Sequence, residues 1–339
     1  MDSPPPESRT SRLIRYGAFA LGAIILVVLV RHTGVTVLLE SIRHSGWILV
    51  PVITLWGVVY ACNARAWQLL VPNRPAEFTF LRAFVLSVHA FALNFATPFL
   101  SMGGEPFRVA GATRYLGRAS AVGSVVGFRF LHGLAHTLVF LLAVIPAAIL
   151  LPHTPVVLAS LTLITVCLLL IAWFLISQHR SGVFERGVTA LARFRWLRPL
   201  AVRLERHAVF FQELDQELTA IHREEPRHFQ RALAVELTGR LLSTMEYALI
   251  LYALGLHQSV WHAFAIANMS SFITNLLVFI PFEMGTKEGG VYAIFGVLGM
   301  DPAMGMTAAL LSRVRELAWL AIGLGCGFLI DRTAKSRSR

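Results

Sequence analysis

Charge is scarce in this chain. Asp, Glu, Lys and Arg make up 14% of its 339 residues, and hydrophobic residues 56%. A soluble domain of this length needs roughly 25% charge to cover its surface, so a soluble fold is excluded. Cysteine is scarcer still: Cys62, Cys167 and Cys326 lie far apart, each inside an apolar run. That excludes a disulfide framework or a cysteine metal cluster and leaves them as small packing residues. Also missing are a nucleophile–base arrangement, a two-Asp sugar-transfer motif, zinc-finger spacing and an aromatic-basic RNA-binding pattern. Gly103-Gly104 lacks the Gly-Lys-Ser/Thr that would make a phosphate loop, and Asn268-Met-Ser sits in an apolar run and is discounted as a glycosylation acceptor. The chain is therefore read as a non-enzyme with no cofactor, metal or nucleic-acid partner.

What is present is a series of apolar runs: about 13–30, 47–70, 80–99, 119–151, 156–177, 228–255, 262–282 and 303–330. At about 20 residues per span, these predict an all-α polytopic membrane protein. The net charge of +11 then reflects cytoplasmic loops beside anionic lipid. Arg74, Arg82, Arg108, Arg114, Arg118, the 178–227 segment and the tail Arg332, Lys335, Arg337 and Arg339 form the basic side. The connectors near Leu151–Pro155 and Gly255–Ser259 carry no Lys or Arg. Arg31 and Arg43, in the loop after the first span, fit this assignment least well. Both termini are placed in the cytoplasm, with 1–12 a disordered tail and 331–339 a basic one.

This orientation closes only if 80–116 and 262–300 enter the membrane and return to their own side. The expectation is about six full spans plus two re-entrant helical hairpins. The first membrane half is then 13–177 and the second 228–330. The 178–227 segment between them is a cytoplasmic amphipathic linker, with Leu200, Leu204, Phe211, Leu214, Leu218 and Ile221 at near-helical spacing.

The two hairpins share a motif. Pro98 to Glu105 has the spacing of Pro281 to Glu288, and one shift superimposes both pairs. Pro98, Gly103 and Gly104, with Pro281 and Gly285, read as hairpin breaks; such backbone survives at membrane depth only if buried in protein or facing water. Span 47–70, hairpin 80–116 and span 119–151 match span 228–255, hairpin 262–300 and span 303–330. The two units run in opposite directions, an inverted-topology repeat of the kind from which secondary transporters are built.

Glu105 and Glu288 are the first candidates for a polar site, because a carboxylate at bilayer depth costs several kcal/mol unless paired or facing a cavity. Arg129, with His132 and His136, lies inside 119–151; Arg313, with Arg315 and Glu316, lies inside 303–330. An arginine at that depth requires a phosphate, a carboxylate or water. An internal Glu105–Arg129 or Glu288–Arg313 pair holding a hairpin is compatible with a transport role. Arg108 and Lys287 flank the two carboxylates. Asn94 and Asn275 precede the prolines and either satisfy freed backbone groups or touch a ligand. Glu246 and Arg240, and Asn63 and Arg65, are candidates to face the same cavity. His132 and His136, four apart, have a metal-chelating spacing, but no Glu or Cys nearby completes a site.

These residues resemble the lysylphosphatidylglycerol synthase/flippase transmembrane-domain family, the membrane part of multiple peptide resistance factors, with stand-alone relatives associated with hopanoid biosynthesis. The resemblance is carried by Asn94, Pro98, Gly103-Gly104-Glu105 and Arg108, and by Pro281, Gly285-x-x-Glu288-Gly289, Gly299 and Arg313. It implies movement of a polar-headed lipid, anionic or zwitterionic, between leaflets of a bacterial inner membrane. The chain lacks the soluble aminoacyl-transferase domain of full-length synthases, so lipid aminoacylation is not expected. Alternatives are a non-transporting scaffold of a lipid-biosynthetic complex and a membrane enzyme acting on a lipid carrier. A homo-oligomer or a lipid-biosynthesis partner is compatible with either.

Overall fold

The computed structural model describes residues 35–71, 74–96, 103–178, 226–277 and 285–336. The expected first span at 13–30, the linker 178–227 except its ends, Pro98 and Pro281 lie outside them. Nine α-helices and no strand occur among the described residues. They are α1 (Val35–Leu69), α2 (Phe80–Ala96), α3 (Glu105–Leu116), α4 (Arg118–Leu150), α5 (Pro155–Gln178), α6 (Pro226–Ala253), α7 (Val260–Leu276), α8 (Thr286–Val297) and α9 (Pro302–Ser336).

Most boundaries fall within a few residues of the apolar runs. Two differ. α1 begins at Val35, so Arg43, expected in a loop, lies on a helix. α9 continues to Ser336 through Arg332 and Lys335, expected in the tail. No proline stands in 35–46 or 328–336, and a helix without a breaker outruns its apolar stretch.

Among the described residues, three helical stretches are long and apolar enough to cross a membrane: Trp47–Leu69, Arg118–Leu150 and Pro155–Ser177. The third, in α5, is only 11% buried and exposes Leu163, Leu170 and Trp173. A helix apolar all round and this exposed belongs in lipid. The protein is a membrane protein. α6 and α9 are longer than α5 but carry charges mid-helix, which keeps them below that apolar threshold.

The packing has a regular scheme. α1 lies on α6, and they run antiparallel: Trp47 meets Tyr252, Trp56 meets Glu246 and Asn63 meets Glu236. α2 packs on α9 and α7 on α4; α1 packs on α9 and α6 on α4; α3 packs on α4 and α8 on α9. Exchanging α1–α4 with α6–α9 leaves this scheme unchanged. The correspondence extends to residues. The shift that carries Glu105 onto Glu288 carries His89 onto Phe272, and on α4 and α9 a shift one residue larger carries Arg129 onto Arg313 and Phe140 onto Leu324, next to Gly323. His89 Nδ1 lies 2.9 Å from the Gly323 carbonyl oxygen, and Phe140 stacks edge-on against Phe272 at 5.6 Å.

Among the described residues, two of the apolar clusters are large, and a smaller one gathers Tyr60, Val88, Trp319 and Cys326. One large cluster gathers Trp67, Phe78, Leu86, Phe128, Leu131 and Ala232; the other gathers Ile48, Val52, Ile250, Ile266, Phe295 and Leu311. Because α1 and α6 are antiparallel, the two large clusters sit at opposite ends of that pair. The residues between them, Trp56, Tyr60 and Asn63 on α1 and Glu236, Arg240 and Glu246 on α6, form a polar layer at mid-height.

Helix association in lipid depends on close packing at small residues rather than on water exclusion. Gly323 lets α9 touch the Val88 carbonyl and Ala92 of α2, where an added Cβ would collide with both. Gly289 of α8 has nothing within 4 Å of such a Cβ. Gly323→Ala is therefore expected to lower stability by about 1–3 kcal/mol. Gly289→Ala is expected to be neutral or stabilising by up to about 1 kcal/mol. Unfolding of the purified variants in detergent measures both; equal behaviour would show that the α2–α9 contact is not tight.

Candidate functional site

The first hairpin turns at Gly104, which caps α3. A Cβ there would collide with the Ala90 carbonyl of α2, so only glycine allows α3 to start this close. The Gly104 amide donates to Asn94 Oδ1 at 2.7 Å, and Asn94 Nδ2 donates to Glu105 Oε1 at 3.3 Å. Asn94 thus ties both the freed backbone and the carboxylate to α2. Arg108 Nη1 lies 3.6 Å from Glu105 Oε2, and Arg129 Nη1 of α4 lies 3.6 Å from Glu105 Oε1.

The second hairpin resumes at Gly285, whose φ of 75° is in the left-handed region that glycine tolerates best. Its amide donates to Glu288 Oε2 at 3.1 Å, a cap on α8. Glu288 Oε1 accepts from Arg313 Nε and Nη2 at 3.0 and 2.6 Å. Arg313 Nη1 reaches Glu316 Oε2 at 2.8 Å, and Glu316 Oε1 also takes Lys287 Nζ. Lys287 Nζ donates to Ser312 Oγ at 2.6 Å, which donates to Glu246 Oε1 at 2.6 Å. Arg315 grips Glu246 at 3.0 and 3.1 Å, and Trp56 Nε1 donates to it at 2.9 Å. The Arg315 guanidinium lies 3.9 Å above the Trp56 ring. Three carboxylates and three cations from α6, α8 and α9 thus close one network, anchored to α1 through Trp56.

A third cluster centres on Glu236, which is fully buried. Asn63 donates to both its oxygens at 2.9 and 2.7 Å. His132 Nδ1 lies 2.7 Å from Oε1, and Arg240 Nη2 lies 2.6 Å from His132 Nε2. Both ring nitrogens of His132 are engaged, so the His132–His136 spacing presents no chelating pair in this arrangement.

Between the clusters lies a cavity of about 200 Å³. Trp56, Phe91, Phe95, His136 and Phe140 line it from α1, α2 and α4. Arg240, Ser243, Thr244, Glu246, Asn268, Ser270, Ser271, Thr274, Asn275, Lys287, Arg315 and Glu316 line it from α6 to α9. This is smaller than the roughly 300–1,000 Å³ of drug-sized pockets.

Of the sequence candidates, Lys287, Asn275, Glu316, Arg240 and Glu246 line the cavity. Glu105, Asn94, Arg108 and Arg129 gather at the first hairpin, Glu288 and Arg313 at the second. Each hairpin touches the last helix of the opposite half, α2 on α9 and α7 on α4, and the segments between α2 and α3 (97–102) and between α7 and α8 (278–284) lie outside the described residues. Asn275 does not copy Asn94: it donates to the Ser271 carbonyl and hydroxyl on its own helix. Arg65 is exposed and reaches only Gln68. Sequence reasoning missed Glu236, although its spacing of four from Arg240 on a helix was a signal, and it missed Trp56 and Ser312, which carry no charge to betray them.

Removing one partner of a buried pair leaves the other charge uncompensated, at a cost of about 3–5 kcal/mol. Glu246→Gln, which strands the buried Arg315, is expected to cost stability of that order, whereas Arg65→Gln at the exposed surface costs about 1 kcal/mol or less. Chemical unfolding in detergent separates the two; equal losses would mean that the Glu246 network is not a stability determinant.

No curated protein and no solved structure matches the chain. One family does, over residues 16–325, under the description "Lysylphosphatidylglycerol synthase TM region". That match takes in every described helix up to the last turns of α9, with both hairpins, all three charged clusters and the cavity. The chain belongs to the lysylphosphatidylglycerol synthase transmembrane-region family.

Proposed function

We propose that the protein is a lipid flippase or transporter of the bacterial inner membrane. It moves a polar-headed lipid between leaflets and catalyses no covalent step. The observation that carries this reading is the polar cavity built by both sets of helices, α1, α2 and α4 with α6 to α9, inside a bundle with an apolar exterior. A headgroup enters that interior while its acyl chains stay in lipid.

The membrane arrangement proposed with it is an inverted repeat. Its support is the packing scheme that survives exchange of the two sets, and the antiparallel run of α1 against its counterpart α6. Helices of 12 residues, α3 and α8, reach about 18 Å at 1.5 Å per residue, short of a hydrocarbon core of about 30 Å. With α2 and α7 they make two re-entrant pairs. α6 and α9, at 28 and 35 residues, are long enough to cross, and their buried charges pair inside the bundle, Glu246 with Arg315 and Glu236 with Arg240. With the apolar run 13–30 as one more crossing, both termini lie in the cytoplasm.

Glu105 and Glu288 hold equivalent places at the starts of α3 and α8, each bound to the arginine of its half's last helix. They act as latches that hold or release a hairpin as the headgroup passes. Leaflet-specific lipid labelling in proteoliposomes tests this. Wild type is expected to move a labelled phospholipid across the bilayer, and Glu105→Gln and Glu288→Gln to lose at least about tenfold of the rate, as for loss of a charged hydrogen bond. Unchanged rates in both folded variants would refute the latches, and no movement of any lipid by wild type would favour a scaffold.

A further inference from the structure

The two halves place equivalent arginines in unlike surroundings. Arg313 is saturated: it holds Glu288 through two nitrogens and Glu316 through a third, and its side chain is 1% exposed. Arg129 holds Glu105 at 3.6 Å, with its side chain 34% exposed. The shift that carries Arg129 onto Arg313 sets His132 where Glu316 stands. His132 is turned instead toward Glu236. The first half therefore lacks the second carboxylate that completes the other half.

It has a second cation in its place. Arg108 is 6% exposed, and its guanidinium lies over the rings of Trp67 and Phe128, 5.1 Å from each. Arg108 Nε and Nη1, and Glu105 Oε2, are buried without a hydrogen-bond partner. Counting histidine as neutral, Glu236 balances Arg240, and Glu246, Glu288 and Glu316 balance Lys287, Arg313 and Arg315. Among the described residues, Arg108 and Arg129 share Glu105. Within these ion-paired clusters of described residues, the surplus positive charge sits at the first hairpin, where a buried cation is costly unless paired.

We infer that this cluster binds the phosphate of a phosphodiester headgroup, which takes the part that Glu316 plays in the second half. Arg129 offers the accessible guanidinium fork, suited to phosphate oxygens, and Arg108 supplies the charge behind it. A diester carries one negative charge, which matches the surplus, whereas a phosphate monoester carries about −1.5 to −2 at neutral pH. The inference rests on the lipid-transport reading for its choice of a lipid ester. It departs from that reading's symmetry, because the phosphate docks at one hairpin and not at both.

The test is titration of the purified full-length protein in detergent with dihexanoyl-phosphatidylglycerol, followed by tryptophan fluorescence and calorimetry. Saturable binding is expected, weakened about tenfold or more in Arg129→Gln, as for loss of a charged hydrogen bond, and less in Arg129→Lys. His132→Glu, which restores the missing carboxylate, is expected to fill the site from within and lose binding. Circular dichroism and melting establish that each variant is folded, and Arg129, being partly exposed, is the substitution least able to unfold the protein. Unchanged affinity in Arg129→Gln would overturn the inference, as would equal binding of dihexanoylglycerol, which has no phosphate. Inorganic phosphate binding as tightly as the lipid would assign the site to the free ion and overturn the lipid ester. Lipid movement by wild type is scored separately in proteoliposomes. Arg129-dependent binding without movement refutes transport and keeps the site; movement with binding indifferent to Arg129 does the reverse.

Discussion

A charge inside an apolar bundle has to find its counter-charge within the same chain, and Glu246 is where that constraint is met most completely. It accepts from Trp56, Ser312 and two nitrogens of Arg315. Those groups come from α1 and α9, so a single carboxylate on α6 ties three helices from both sets. Remove it and a buried guanidinium has no acceptor of equal strength. The network therefore fixes the helices relative to one another more firmly than apolar contact alone, since lipid competes for apolar contact and cannot compete for charge.

The same constraint explains the chain's composition. Charges are few in the apolar runs because each one placed within the bundle needs a partner, and most of the buried ones among the described residues, Glu236, Glu246, Arg313, Arg315 and Glu316, lie on α6 and α9. Glycine does the complementary work. At Gly104 and Gly323 it brings backbone against backbone where a side chain would hold helices apart, and the hairpins can then sit close enough for Glu105 and Glu288 to reach the arginines on α4 and α9.

Much of this was legible in the sequence. The apolar runs predicted the helices because no competing periodicity or breaker obscured them, and the duplicated Pro–Glu spacing pointed to two equivalent units. The pairings Glu105–Arg129 and Glu288–Arg313 followed from charge at matched positions. What was not legible depends on which helices touch. Nothing in the residues near Asn94 or Asn275 says that α2 touches α9 and α7 touches α4. Lys287 and Glu316 read as flanking charges, and only the fold makes them one bridge with Ser312. The asymmetry between Arg129 and Arg313 was half visible: His132 in place of Glu316 can be read from the sequence, but the turn of His132 toward Glu236 cannot.

The central claim is that two oppositely directed halves share one polar interior, so that a headgroup can pass from one leaflet to the other. Its most direct measurement is the accessibility of single cysteines at Glu77, before α2, and Gln258, before α7, both exposed connector positions. A membrane-impermeant thiol reagent applied to sealed vesicles, on a background with Cys62, Cys167 and Cys326 replaced, is expected to label one position from one side and the other from the opposite side. Labelling of both from the same side would contradict the account.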